Sequence, residues 1–293
     1  MQKIPFSRKE LHEYLEKISF SPAKKFGQNF LLDENIHKAI VESAELCQED
    51  AVLEIGPGLG HLTTHIIGKA GIYWGIEIDR RLHSLLKERF SSLPGVQILS
   101  MDILSSKHEI NPEVWKAIEE VILNRPYKIV ANLPYNISAP VISNFLEAIP
   151  QPSLLVVTVQ KEVAKRLVAK ADTSDYGPLS IHTQLYSDVK EIRNIPPNCF
   201  YPAPKVDSTV VMLRPHPLRS DITNKDFLFS LIQSAFSMRR KTLYNCLRNS
   251  TSLNLSTESI HQSLEKSKIS PERRGETLSL EECIVLANAF QER

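Results

Sequence analysis

The stretch LEIGPGLG, residues 53 to 60, limits what this chain can fold into more than any other segment in it. An apolar run from Ala51 to Ile55 stops at glycines 56, 58 and 60, and a helix-compatible segment, HLTTHIIGKA, follows directly. Glycine lets a backbone turn sharply and leaves no side chain between it and a ligand, so the stretch reads as strand, open turn, helix. The alternation then continues. IYWGIEI, VQILS, YKIVANL and SLLVVTV read as four more buried strands. Between them lie DRRLHSLLKERF, capped by Asp79, and a helix over Ser138 to Ala148, with another over Lys161 to Ala169 after the last. Asp33 opens an earlier helix, DENIHKAIVESAEL. Strands alternating with helices predict a parallel sheet covered on both faces, a Rossmann-like α/β domain. Ligands of such sheets lie at the carboxyl ends of the strands.

A chain of 293 residues has room for that domain and a smaller one. The β-rich stretch VDSTVVML gives way to the prolines of MLRPHPLRS. Beyond them Lys225 to Phe236, Arg239 to Arg248, Glu258 to Lys266 and Leu280 to Phe290 all carry a helical pattern. A boundary near Arg214 therefore divides a sheet domain, 1–213, from an all-helical domain, 214–293. Between Ile103 and Pro126 sits a charged insert, with a short helix expected around Val114 to Ile122.

With 42% hydrophobic and 24% charged residues, the composition is that of an ordinary globular protein. The best apolar run, Leu154 to Val159, is far too short to cross a membrane, and Met1 to Phe30 holds no secretion signal. A cytoplasmic location is expected. Cys47, Cys199, Cys246 and Cys283 lack metal-ligand spacing and are expected to be free thiols. His61 and His65 are four apart, as zinc ligands on a helix would be, but Leu62 stands where a metalloprotease needs Glu, so no metal is expected. The net charge of +1 does not announce a nucleic-acid partner. Its distribution is more suggestive, with clusters at Lys24-Lys25, at Lys161, Lys165, Arg166 and Lys170, and at Arg239, Arg240 and Lys241 with Arg248. Taken alone, each reads first as a solvated helix face.

Three strand ends carry ligand-binding chemistry. Glu54 precedes the glycines, and an acid there with G-x-G-x-G spacing suits the ammonium of S-adenosylmethionine better than a dinucleotide pyrophosphate. Glu77 ends the next strand, where a carboxylate can accept from both hydroxyls of a ribose. Asp102 follows the third strand, within reach of an adenine amino group, although such an Asp is often only a turn former. The fourth strand end is Asn132-Leu133-Pro134-Tyr135. The exocyclic amine of adenine or cytosine is a poor nucleophile, because its lone pair is delocalised into the ring. The Asn132 oxygen and a backbone carbonyl near Leu133-Pro134 can each accept one amino proton and localise that pair. Proline stiffens the turn. Tyr135 offers a ring face for the base to stack on, worth roughly 1–3 kcal/mol in nucleic-acid sites.

KKFGQNFL (24–31), LEIGPGLG, EID, NLPYNIS, YGPLS (176–180), FYPAPKVDS (200–208), RRKTL (239–243) and LSLEECIVLAN together resemble the ribosomal RNA adenine N6-dimethyltransferase family, its bacterial small-subunit branch most closely. The likeness runs from about Lys24 to Ala289. It implies S-adenosylmethionine as cofactor and dimethylation of two adjacent adenosines in the 3′-terminal hairpin loop of small-subunit rRNA, late in subunit assembly, by a monomer. It implies that Asn29 and Leu31 close over the cofactor, that Gly56, Glu77 and Asp102 contact its methionine end, ribose and adenine, and that Asn132 sits where cofactor and target meet. Phe200 resembles an aromatic that sandwiches the flipped base against Tyr135; without the family it reads as a core residue. The insert is longer than the resemblance leads one to expect. Three other functions stay open: a large-subunit rRNA methyltransferase conferring antibiotic resistance, a DNA adenine methyltransferase lacking an evident reading module, and an assembly factor that mainly binds the immature subunit.

Overall fold

The structure, a computed structural model, describes residues 4–122 and 125–291. The outer ends of both expected domain ranges, and residues 123–124 of the expected insert, lie outside the described residues. Seven strands form the central sheet: β1 (Ala51–Ile55), β2 (Ile72–Glu77), β3 (Val96–Ser100), β4 (Tyr127–Asn132), β5 (Leu154–Gln160), β6 (Ser187–Ile195) and β7 (Ser208–Pro215). Their spatial order is β3-β2-β1-β4-β5-β7-β6. The first five pair in parallel, and the continuous apolar runs of β1, β2, β4 and β5 fit strands buried on both faces. Strand order reverses between β1 and β4, and that crevice is the topological switch point at which open α/β sheets bind ligands.

β7 departs from the all-parallel expectation by running antiparallel to β5, with Ser208 opposite Gln160. Reversal has a functional consequence. It brings the start of β7, and the FYPAPKVDS turn before it, to the same edge of the sheet as the ligand-binding strand ends. A second small pairing, Phe30–Leu31 against Phe200–Tyr201, ties the KKFGQNFL segment to that turn.

Asp33 and Asp79 cap their helices as expected, accepting from Asn35 and Ile36 and from Arg81. The helix after the glycine turn is much shorter than its pattern implied, Thr63–Ile66, and the chain turns away at Gly68, where φ is +87°. The insert holds a hairpin, Leu104–Ser106 with Glu109–Ile110, and a helix, Pro112–Ile122. Among the described residues no helix is long and apolar enough to cross a membrane.

The chain divides into two compact units. One runs through Ala164 and resumes at Asp188–Pro215; the other comprises Lys165–Ser187 and the chain from His216 onward. The units are therefore not the two contiguous ranges expected: one break lies after Pro215, and Lys165–Ser187 joins the helical unit. Its anchors are distant in sequence: the Tyr176 hydroxyl donates to the Leu278 carbonyl at 2.9 Å, and Asp172 N–H to that of Glu276 at 2.8 Å.

Candidate active site

The site assembles from four strand ends and the segment before Phe30. β1 ends in Gly56 and Gly58, both left-handed, at φ of +68° and +62°. A side chain at Gly58 would start 3.0 Å from the Phe30 ring, so the turn and the KKFGQNFL segment pack together only because Gly58 is bare. The Gly58 N–H donates to Glu77 Oε2 at 2.9 Å, and the Asp79 N–H to Oε1 at the same distance. These bonds hold the buried Glu77 carboxylate in one orientation at the end of β2. Burial raises its pKa and the two N–H groups oppose that rise. Each oxygen keeps a lone pair for a further donor.

Asn132 closes β4. Its Nδ2 donates to the Asn29 carbonyl at 3.1 Å, which fixes the carboxamide and leaves Oδ1 buried without a partner. Buried acceptors in native proteins are almost always paired, so this oxygen, on the cavity wall, is free to take a donor. The Pro134 carbonyl accepts from Ile137 N–H at 3.1 Å. Tyr135 is half-buried and its hydroxyl lies 2.6 Å from Ser208 Oγ.

Two adjoining cavities occupy this edge. Asn29, Leu31, Glu54, Gly56, Glu77 and Asn132 line the first. The second has Asp102 on its wall, flanked by the apolar side chains of Ile78, Met101 and Ile103. Gly56, Phe26, Ile78 and Pro134 line both, so an elongated ligand can run from one into the other. Among the described residues no group of His, Cys, Asp or Glu could hold a metal ion.

Residues 20–286 match the family model described as ribosomal RNA adenine dimethylase. The chain belongs to that family. Ribosomal RNA small subunit methyltransferase A of Alkaliphilus oremlandii (strain OhILAs) is 40% identical over 283 residues, 96% of each chain. The protein of the same description from Lachnoclostridium phytofermentans is 40% identical over 289 residues, 97% of each. A solved dimethyladenosine transferase from Plasmodium falciparum superposes with a TM-score of 0.75 at 26% identity, over 89% of this chain and 96% of that one. The 23S rRNA methyltransferase ErmE shares the fold, with a TM-score of 0.64 at 23% identity over 90% of this chain and 100% of that one.

As a ribosomal RNA adenine dimethylase, the chain is an S-adenosylmethionine-dependent enzyme, and the two cavities fit that cofactor. They offer a bare glycine turn, a carboxylate held in one orientation and apolar walls beside Asp102. Asp102 is exposed, and its Oδ1 accepts from Leu104 N–H at 2.9 Å, so it forms the turn as well as facing the cavity. Glu54 is committed elsewhere: its Oε2 accepts from Thr63 and Tyr73 hydroxyls at 2.7 Å each, and burial pushes its pKa up to about 7.

Phe200 does not stand on either cavity wall. It is fully buried, paired with Leu31 and packed among Ile36, Ile40 and Ile195, so the packing reading of this ring describes its position and the stacking one does not. The basic cluster also divides. Arg239, Arg240 and Lys241 precede the helix Leu243–Arg248, which starts late because Thr242 caps it. Arg239 is spent on architecture, bound to Glu276 at 2.8 Å and to the Ser174 carbonyl. Arg240 and Lys241 are exposed, and Arg248 lies 5.8 Å from the Tyr244 ring centre.

Sequence reasoning missed Gln28, which accepts from Ala23 N–H at 2.7 Å and donates to Asp79 at 3.1 Å, clasping the segment onto the site. It also missed the apolar walls. Their one signal was Ile78, a large apolar residue 38% exposed just past a strand end.

Proposed function

We propose that this enzyme transfers methyl groups from S-adenosylmethionine to N6 of two adjacent adenosines in the 3′-terminal hairpin loop of small-subunit rRNA. It acts as a cytoplasmic monomer on the immature ribosomal subunit, late in assembly. The orphaned Asn132 oxygen carries the chemical part of this reading. The small-subunit description of relatives at 40% identity favours that target over the large subunit.

When bound, the cofactor supplies a methyl group made electrophilic by its sulfonium. Glu77 holds the ribose, Asp102 with Ile78 and Ile103 the adenine, and the Gly56 turn the methionine end. Asn132 Oδ1 and the Leu133 carbonyl each accept one proton of the target amine. These two bonds draw the nitrogen lone pair out of the ring and aim it at the methyl. As positive charge gathers on the nitrogen both bonds become charge-assisted, so they strengthen most in the transition state. No strong general base is needed, because the alkylated amine is acidic enough to release its proton to water. After the first transfer one amino proton remains, and the base must turn to present its lone pair again. A loop adenosine is a cheap substrate, since flipping costs least where a base is already unpaired.

Selection among loops falls to contacts with shaped backbone, and Arg240, Lys241 and Arg248 supply exposed charge for it. The test is label transfer from methyl-labelled S-adenosylmethionine to unmethylated small subunits, large subunits and DNA in parallel. Label in small-subunit RNA alone is expected. Label in large-subunit RNA, or tight subunit binding with no transfer, would replace this reading.

A further inference from the structure

The hydroxyl of Tyr135 is engaged by a residue 73 positions away, and nothing in the chemistry above requires that contact. Ser208 is fully buried at the first position of β7, held opposite Gln160 by strand pairing. The residues beside it are braced too. Lys161 N–H donates to the Asp207 carbonyl at 3.0 Å, and Lys161 Nζ pairs with Asp207 Oδ2 at 3.0 Å. Ser208 Oγ is therefore a fixed point, and at 2.6 Å it takes the far end of a half-buried ring whose near end is set by Pro134. A tyrosine ring turns about two side-chain bonds. Backbone stiffness at Pro134 restrains its origin, and the hydrogen bond at its tip restrains both torsions.

We propose that Ser208 is a positioning residue for methyl transfer, locking the Tyr135 ring in the plane on which the target adenine stacks. The inference rests on the proposed base-stacking role of Tyr135. With the ring locked, base docking loses little side-chain freedom, and the adenine amine arrives in register with Asn132 Oδ1 and the Leu133 carbonyl. The lock also spends the phenol. Burial raises its pKa, so it stays neutral and takes no part as an acid or base. The antiparallel entry of β7 is what makes the device possible, because a parallel strand there would start at the opposite edge of the sheet.

Three variants test this on full-length enzyme and unmethylated small subunits: Ser208→Ala, Tyr135→Phe and the double variant. Each removes one or both ends of the bond and keeps the aromatic ring. Ser208→Ala is expected to lower the single-turnover methylation rate on the order of tenfold, the cost of one aligning hydrogen bond, with cofactor affinity unchanged. Tyr135→Phe is expected to match it, and the double variant to be no slower than either. RNA carrying 2-aminopurine at the target position should be less quenched on binding Ser208→Ala than on binding the parent. Ser208→Thr, which keeps the hydroxyl, should recover the rate. Losses that multiply in the double variant, or a normal rate in Ser208→Ala, would overturn the lock. Should the parent enzyme leave small subunits unmethylated, the functional reading fails instead, and the 2-aminopurine comparison still judges the lock.

Discussion

Replacing Asn132 by Ala separates catalysis from stability. The substitution deletes two atoms with opposite standing in the free enzyme. Nδ2 makes a 3.1 Å bond to the Asn29 carbonyl, and losing it costs about 1 kcal/mol of stability and loosens the segment over the cofactor. Oδ1 is a buried acceptor with no partner, and deleting it relieves a desolvation penalty of about 1–2 kcal/mol. The two nearly cancel, so the melting temperature should move by less than about 4 °C. Cofactor binding should weaken no more than about fivefold, the share of the missing bond to Asn29. Turnover is different. The bond from the amine to Oδ1 forms only with substrate and strengthens as charge develops, so its loss should cost about 2–3 kcal/mol, or roughly 30- to 150-fold in kcat. Thermal melting, calorimetry and single-turnover methylation measure the three quantities on one preparation. A rate within about tenfold of the parent would mean another group orients the amine. A large loss of stability would mean that Asn132 is there for packing.

Glu77→Gln should weaken S-adenosylmethionine binding by about 1.5–3 kcal/mol in a folded protein, because a buried, pre-oriented carboxylate makes charge-assisted bonds to the ribose; unchanged affinity by calorimetry removes Glu77 from the site. Glu54 is held at about 7 against 4.5 when unfolded, so the stability it confers is present below about pH 4.5 and lost as pH rises through 7. Between pH 5 and pH 8 that loss is roughly 2–3 kcal/mol, and Glu54→Gln should abolish it; parallel stability curves for parent and variant would show that the carboxyl does not titrate in this range. Arg240→Glu with Lys241→Glu should weaken RNA binding and flatten its salt dependence by nearly one unit of slope for each phosphate no longer neutralised, leaving melting and cofactor affinity alone. An unchanged slope assigns both residues to a solvated face.

The parts of this structure legible in the sequence are those whose physics is local. β1, β2, β4 and β5 are buried along almost their whole length and therefore read as continuous apolar runs, whereas β3, at the sheet edge, buries only Ile98; the carboxyl ends show directly as Gly56, Glu77, Asp102 and Asn132. Asp33 and Asp79 announce helices within three residues of themselves. β6 escaped notice because it lies at the sheet edge, where Asp188, Lys190, Glu191 and Arg193 interrupt any apolar run. The helix Arg8–Lys17 buries only Leu11, Tyr14 and Leu15 and is otherwise polar. Contacts between distant residues were invisible. Nothing near Arg239 signals that Glu276 and Ser174 consume it, and nothing near Phe200 shows that its strand seats it against Leu31. The same holds for Lys165–Ser187, whose place in the helical unit rests on partners about a hundred residues later, such as Leu278.

The central claim is that one site, built on Asn132 and the Leu133 carbonyl, methylates the same nitrogen twice at each of two neighbouring adenosines. Nucleotide-resolution mass spectrometry of small-subunit rRNA, sampled through a time course with the purified enzyme and S-adenosylmethionine, measures it directly. N6-methyladenosine is expected to rise first and to be replaced by N6,N6-dimethyladenosine at two adjacent positions of the 3′-terminal hairpin loop, with no other nucleotide modified. Methylation at another ring atom, at a single isolated adenosine or outside that loop would contradict it.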